Sequence, residues 1–132
     1  MSPHVHIYSF GYHRSGIPED PYGNGGGFVF DCRALPNPGR DPAMFPLSGL
    51  DEEVTLELEQ YPEVREFLRK AFELIDTTIQ LYEVRGFEHL HVSFGCTGGQ
   101  HRSVYCARRL AEHLKRNGIR ASVTHTEQGI WW

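Results

Sequence analysis

Residues 90–103 read Leu90-His91-Val92-Ser93-Phe94-Gly95-Cys96-Thr97-Gly98-Gly99-Gln100-His101-Arg102-Ser103. Apolar residues at Leu90, Val92 and Phe94 alternate with others, the period of a strand, and the run then breaks at Gly95-Cys96-Thr97-Gly98-Gly99 before an amphipathic segment opens. The stretch therefore predicts a strand, a tight turn and a helix start. Glycines at 95, 98 and 99 permit positive φ and close approach to the main chain. The first N–H groups of a helix lack internal partners and sit at the positive end of its dipole. Such a junction is an anion cradle. Thr97 and Ser103 add hydroxyls, His101 adds an imidazole, and Arg102 adds a fork suited to phosphate oxygens. A glycine-rich turn that merely connects two elements is the bland alternative, and the polar side chains crowded around this one favour a site.

Upstream, Val5, Ile7 and Ser9 alternate with His6, Tyr8 and Phe10 in a first strand that ends at Gly11. If the sheet is parallel, the loop from Tyr12 to Pro18 leaves the same edge as the cradle, where open α/β sheets bind ligands. His13 and Arg14 are then candidates for the opposite wall, with two solvated loop side chains as the equal alternative. Phe28 to Arg33 reads as a second strand, and Asp31 and Arg33 at its end face the pocket rim or pair with each other. Leu35-Pro36-Asn37-Pro38 is extended and stiff, because each proline restricts itself and its predecessor.

Asp51-Glu52-Glu53 suits a helix start. From Tyr61, the apolar positions Val64, Phe67, Leu68, Ala71, Phe72, Ile75, Ile79 and Tyr82 recur at helical spacing, with Pro62 in the first turn and Gly86 as a stop. A second helix is expected from Gln100 to Asn117, with Cys106 as an inert small residue and Gly118 at its end. A last strand, Ile119 to Thr126, delivers His125 to the sheet's end. Trp131-Trp132 closes the tail, either capping the core or mediating self-association. The alternation predicts one α/β domain over residues 1–132, with about four strands in a mostly parallel or mixed sheet flanked by two main helices.

The 132 residues suit one core. No run approaches a membrane span and no signal-type leader opens the chain, so a cytoplasmic protein without membrane contact is expected. Cys32, Cys96 and Cys106 fit a reducing compartment better than a disulfide framework, and their spacing suggests no metal; no cofactor motif is evident. Net charge is −4, unevenly spread: residues 51–88 carry 11 acids and 4 bases, leaving 6 acids and 9 bases elsewhere. Arg102, Arg108, Arg109, Lys115, Arg116 and Arg120 belong to that basic part, which permits contact with RNA or a phosphorylated small molecule on one face. The net negative charge argues against strong autonomous RNA binding.

Two patterns overlap at the cradle. Cys96, Arg102 and Ser103 have the Cys-x5-Arg-Ser spacing of cysteine phosphatases, in which Cys96 would be the nucleophile and Arg102 would hold the phosphoryl group. Gly95 precedes Cys96 where those enzymes carry His, and no loop offers an obvious general acid. The longer run Gly95 to Tyr105 more closely resembles the Gly-Cys-Thr-Gly-Gly-x-His-Arg-Ser-Val signature of the C-terminal domain of the RapZ/YvcJ family. Ser9-Phe10-Gly11-Tyr12 with Gly16-Ile17-Pro18, the block Phe28 to Pro38, and Leu47-Ser48-Gly49-Leu50-Asp51 are similar to that family's other blocks, in the same order.

The resemblance implies an α/β domain that binds an amino-sugar phosphate, glucosamine 6-phosphate, at the glycine-rich turn. Cys96, Thr97, Gly98, Gly99, Gln100, His101, Arg102 and Ser103 would hold the phosphate, with His13, Arg14, Arg33 and His125 closing the pocket. It further implies small-RNA binding, contact with an endoribonuclease and self-association into a homo-oligomer. No Gly-x4-Gly-Lys-Ser/Thr run occurs, so nucleotide binding through that loop is not implied. The first loop carries one extra residue relative to the family, leaving either His13 or Arg14 at the family's pocket-histidine position. The tail after His125, Thr126-Glu127-Gln128, lacks the family's basic ending.

Overall fold

The computed structural model describes residues 1–131; of the terminal tryptophans, Trp132 lies outside the described residues. Four strands, β1 (His4–Gly11), β2 (Phe28–Asp31), β3 (His89–Cys96) and β4 (Ala121–His125), form one sheet in the order β2-β3-β1-β4. Every pairing is parallel, which resolves the mostly parallel or mixed expectation in favour of parallel. Among the described residues there are three α-helices, α1 (Glu52–Glu59), α2 (Pro62–Arg85) and α3 (Arg102–Arg116), with short 3-10 turns at Pro38–Arg40 and Gln128–Ile130. The two long helices are the expected ones. The short α1 grows from the anticipated acidic start, with Asp51 at its N-cap and Glu52 and Glu53 in its first turn.

β3 is buried along almost its whole length because it lies between β1 and β2. Val5 and Ile7 of β1 and Leu90, Val92 and Phe94 of β3 point into one core. There they meet Val64, Leu68, Ile75 and Ile79 of α2 and Leu110 and Leu114 of α3. The aromatic stripe of α2, Phe67, Phe72 and Tyr82, packs against this core. Fully burying one such aliphatic side chain contributes roughly 1.5–3 kcal/mol. α2 stops at Gly86, whose φ of 79° takes the left-handed cap conformation while Phe87 N–H donates to Tyr82 C=O at 3.0 Å.

Two boundaries moved for visible reasons. β2 ends at Asp31, because Asp31 Oδ1 accepts from both the main-chain N and Nε of Arg33, each at 2.9 Å, and this turns the chain out of the sheet. Of the two readings of Asp31 and Arg33, the mutual ion pair is the one formed, at 2.8 Å. α3 begins at Arg102 rather than Gln100, since Gln100 and His101 are occupied in clamping a neighbouring loop. Among the described residues, no helix is long and apolar enough to cross a membrane.

The parallel arrangement sets the carboxyl ends of β1 and β3 side by side. The loops that leave them are joined: Tyr12 N–H donates to Cys96 C=O at 2.8 Å and His13 N–H to Thr97 C=O at 3.1 Å.

Candidate anion-binding site

Residues 97–101 bend between β3 and α3, and the polarity of that bend is its main property. Four of its five carbonyls are taken up by the surrounding protein. Thr97 O accepts from His13 N–H, Gly99 O from Trp131 Nε1–H at 3.2 Å, Gln100 O from Gly49 N–H at 2.8 Å and His101 O from Tyr105 N–H at 3.0 Å. In a trans peptide the N–H points opposite to the preceding C=O. The N–H groups of Gly98, Gln100, His101 and Arg102 are thereby turned away from those partners. Among the described residues, no main-chain N–H from Gly98 to Val104 donates a hydrogen bond.

Only one of the three glycines uses positive φ: Gly99, at 72°. Gly98 and Gly95 do not, and Gly95 is instead required by packing, since a Cβ there would meet the rings of Phe10 and Tyr12.

A cavity of about 240 Å³ borders this bend, lined by Arg14, Asn37, Gly39, Phe45, Cys96, Thr97, Gly98, Gln100, His101 and Arg102. Arg102 is 6% exposed and its Nη1 donates to Arg33 O at 2.8 Å and Leu35 O at 3.1 Å. Gln100 Nε2 donates to Phe45 O and Leu47 O at 2.8 and 2.7 Å. His101 Nε2–H donates to Met44 O at 3.0 Å, and burial lowers the imidazole pKa, opposed in part by its bonds to that loop. These three side chains thus fix the 33–47 segment as the cavity's far wall. Cys96 Sγ–H donates to Ser103 Oγ at 3.1 Å at the cavity floor. The wall supplies cations and unpaired donors and no carboxylate, a set that suits a phosphate dianion.

A family model described as RapZ C-terminal domain matches residues 3–129. The chain belongs to the RapZ C-terminal domain family. A nucleotide-binding protein of Thermotoga petrophila is 43% identical over 123 residues, covering 93% of this chain and 42% of the relative. One from Shewanella halifaxensis is 37% identical over 93% of this chain and 41% of its own length. The RNase adapter protein RapZ of Sodalis glossinidius is 39% identical over 89% of this chain and 39% of its own length. The chain thus spans about two fifths of the length of these curated relatives.

In this RapZ C-terminal domain, Cys96, Thr97, Gly98, Gln100, His101, Arg102 and Arg14 share one cavity. The remaining candidates stand outside its lining. Gly99 shapes the bend from behind. Ser103 is fully buried against Cys96. His13 is exposed in the first loop, so of the His13 and Arg14 alternatives it is Arg14 that lines the cavity. Arg33 pairs with Asp31 and lies over the Tyr12 ring at 3.9 Å. His125 Nδ1 bonds Ser9 Oγ at 2.6 Å and its ring packs beside Trp131; burial and then the Arg108 charge lower its pKa.

The sequence reading overlooked Glu127. This tail residue is 1% exposed, and its carboxylate accepts from Gly11 N at 3.0 Å, Ser15 N at 3.1 Å and Ser15 Oγ at 2.8 Å. Burial pushes its pKa up, but these hydrogen bonds outweigh it and hold the carboxyl below the usual range. A single acid after a strand carries no pattern that announces such a role. Asn37, Gly39 and Phe45 were missed as wall residues for a different reason, since stiffness was legible but the return of that segment to the bend was not.

Proposed function

We propose that this domain binds a phosphorylated metabolite of the amino-sugar phosphate class, such as glucosamine 6-phosphate, with its phosphate at the bend and cavity. The observation that supports this most directly is the opposite treatment of the bend's two kinds of main-chain group: the carbonyls of Thr97, Gly99, Gln100 and His101 are engaged behind, while the N–H groups that follow them are left free beside Arg14 and Arg102. The ligand would replace water on those donors with a charge-assisted set.

The macromolecular partner in this reading is an RNase or its RNA, as the name of the Sodalis glossinidius relative suggests. Arg108, Arg109, Lys115 and Arg116 of α3 border a groove of about 430 Å³ together with Glu59 and Glu112, which pair with Arg109, so the surface keeps a net positive charge carried by Arg108, Lys115 and Arg116. Such binding would weaken steeply with salt. Self-association accompanies this reading as the family resemblance implies.

The test is thermal unfolding with glucosamine 6-phosphate, glucosamine or inorganic phosphate. Ligand at a hundred times its Kd stabilises the fold by about 2.7 kcal/mol. A shift with the phosphosugar that is absent with glucosamine and lost in Arg14→Ala supports the reading, and no shift with any phosphate compound overturns it.

One contact favours a second reading, a cysteine-dependent phosphatase or phosphotransferase. Cys96 and Ser103 are in hydrogen-bond contact at the cavity floor, an arrangement that would steady a thiolate facing a bound phosphoryl group. Turnover of an aryl phosphate abolished by Cys96→Ser would establish it.

A further inference from the structure

We propose that the sheet face turned away from the helices binds a late first-row divalent cation, Cu2+, Ni2+ or Zn2+, through His6 and His89. Register places His4 beside His89 and His6 beside His91 on β1 and β3. The two-residue period puts all four side chains on the face opposite Val5, Ile7, Leu90 and Val92. The imidazoles are closely packed there. The His6 ring lies 4.2 Å from that of His4 and 3.8 Å from that of Tyr22, centre to centre.

The contact that matters is diagonal: His6 Nε2 and His89 Nδ1 are 3.0 Å apart. Imidazole nitrogens bind such a metal at about 2.0–2.1 Å, so two of them lie about 2.9 Å apart at a right angle and about 3.4 Å apart at a tetrahedral one. The existing contact is a hydrogen bond between the rings, and its length already matches the separation a chelate needs once the shared proton gives way to the metal. Each neutral ring has one N–H and one lone pair. Ser122 Oγ stands 3.4 Å from His6 Nδ1, and a proton held on that side leaves the Nε2 lone pair free for the metal. The exchange moves a proton between the two nitrogens of His6 and needs no redox partner.

Access is available from the sheet's amino-terminal edge, where a cavity of about 420 Å³ is bordered by His4, His89, Glu83 and Glu88 together with the Met1 amine and Arg120. The acids and cations there offset each other, so affinity rests on imidazole lone pairs. That selects Cu2+, Ni2+ and Zn2+ over Mg2+ and Ca2+. His4 Nε2 is buried without a hydrogen-bond partner among the described residues. Among those residues no three His, Cys, Asp or Glu side chains converge as they stand, so water or a rotated His4 completes the coordination.

The experiment titrates the purified chain with each metal chloride in a non-coordinating buffer and records the electron paramagnetic resonance of the Cu2+ form. One saturable site is expected, with two coupled nitrogens where water completes the coordination and three where His4 does. His89→Gln, at a partly exposed position, should keep the native melt and bind at least tenfold more weakly, as should His6→Gln, while His113→Gln on the helical side leaves affinity unchanged. Absence of saturable binding with all three metals overturns the proposal. So does a signal from one nitrogen, or an affinity that His89→Gln does not alter.

Discussion

Glu127 Oε2 accepts the main-chain N–H of Gly11 at 3.0 Å, tying the last turn of the chain to the end of its first strand. The same carboxylate holds Ser15, so the loop that carries Arg14 is anchored on both sides of Arg14. Glu127→Ala would leave two main-chain donors without their acceptor, at a cost of about 2–3 kcal/mol. We expect a lower Tm in thermal melts and, in the folded protein, weaker phosphosugar binding by titration calorimetry. Glu127→Gln keeps the shape and one acceptor and should fall between. Because the folded pKa is depressed, the stabilisation from ionised Glu127 is present above its unfolded value of 4.5 and disappears as pH falls through the folded one. The acid limb of wild-type stability should therefore flatten in Glu127→Gln.

Gly11 is held to its identity by the bend pressed against it. A Cβ at Gly11 would lie 2.7 Å from the carbonyl carbon of Gly98, and one at Gly99 would lie 2.6 Å from Gly11 N as well as requiring a φ of 72°. Backbone cannot yield as a side-chain tip does. Gly11→Ala should cost about 1–3 kcal/mol, the range for overpacking, and displace the bend. Calorimetry at a temperature where the variant stays folded is the check: at least tenfold weaker phosphosugar binding is expected, and unchanged affinity would show that the bend does not hold the phosphate.

Much of this architecture was readable because the signals were local. Alternation in 90–96, three-and-four spacing in 64–82 and stop glycines at 86 and 118 each act within a few residues, and the corresponding elements formed where expected. What was not readable depends on contacts between distant segments. Gln100 and His101 carry the polar chemistry of ligand residues, yet they also hold the carbonyls of 44–47, and only the folded chain brings that loop to them. The same holds for the histidine face, where His4, His6, His89 and His91 become one cluster only through a register between strands more than eighty residues apart.

That face predicts an acid sensitivity. His6 is 5% exposed and is surrounded by His4, His89 and His91, with Asp20 the opposing charge and Arg120 adding to the burden on His4. Its folded pKa is lowered from 6.5 to about 4, so the unfolded chain takes up the proton first as pH falls. Stability is then complete above about pH 6.5 and declines toward pH 4, by roughly 3 kcal/mol if the whole shift is expressed. His4 and His91 shift in the same direction, chiefly through burial. Denaturant midpoints measured from pH 7.5 to 4.5 should fall steadily, and less so in His6→Gln. A midpoint constant across that range would show that the rings are not packed as described.

Arg102 separates the structural from the ligand-binding role of the site. Its Nη1 bridges the carbonyls of Arg33 and Leu35 while the side chain also lines the cavity. A lysine carries the charge on a single ammonium without the planar fork, so it cannot span both carbonyls and still present donors to a phosphate. Arg102→Lys should lose about 1–3 kcal/mol of stability, the cost of leaving buried acceptors unpaired, and phosphosugar affinity with it. Arg14 bears no such duty, since its side chain is exposed in the first loop, so Arg14→Ala should lose affinity at nearly unchanged Tm. Measuring Tm and affinity for both variants places them apart on two axes. If Arg102→Lys lost stability yet bound the phosphosugar as tightly as wild type, Arg102 would be a strut for the 33–35 segment alone, and the phosphate would be held by the main-chain amides and Arg14.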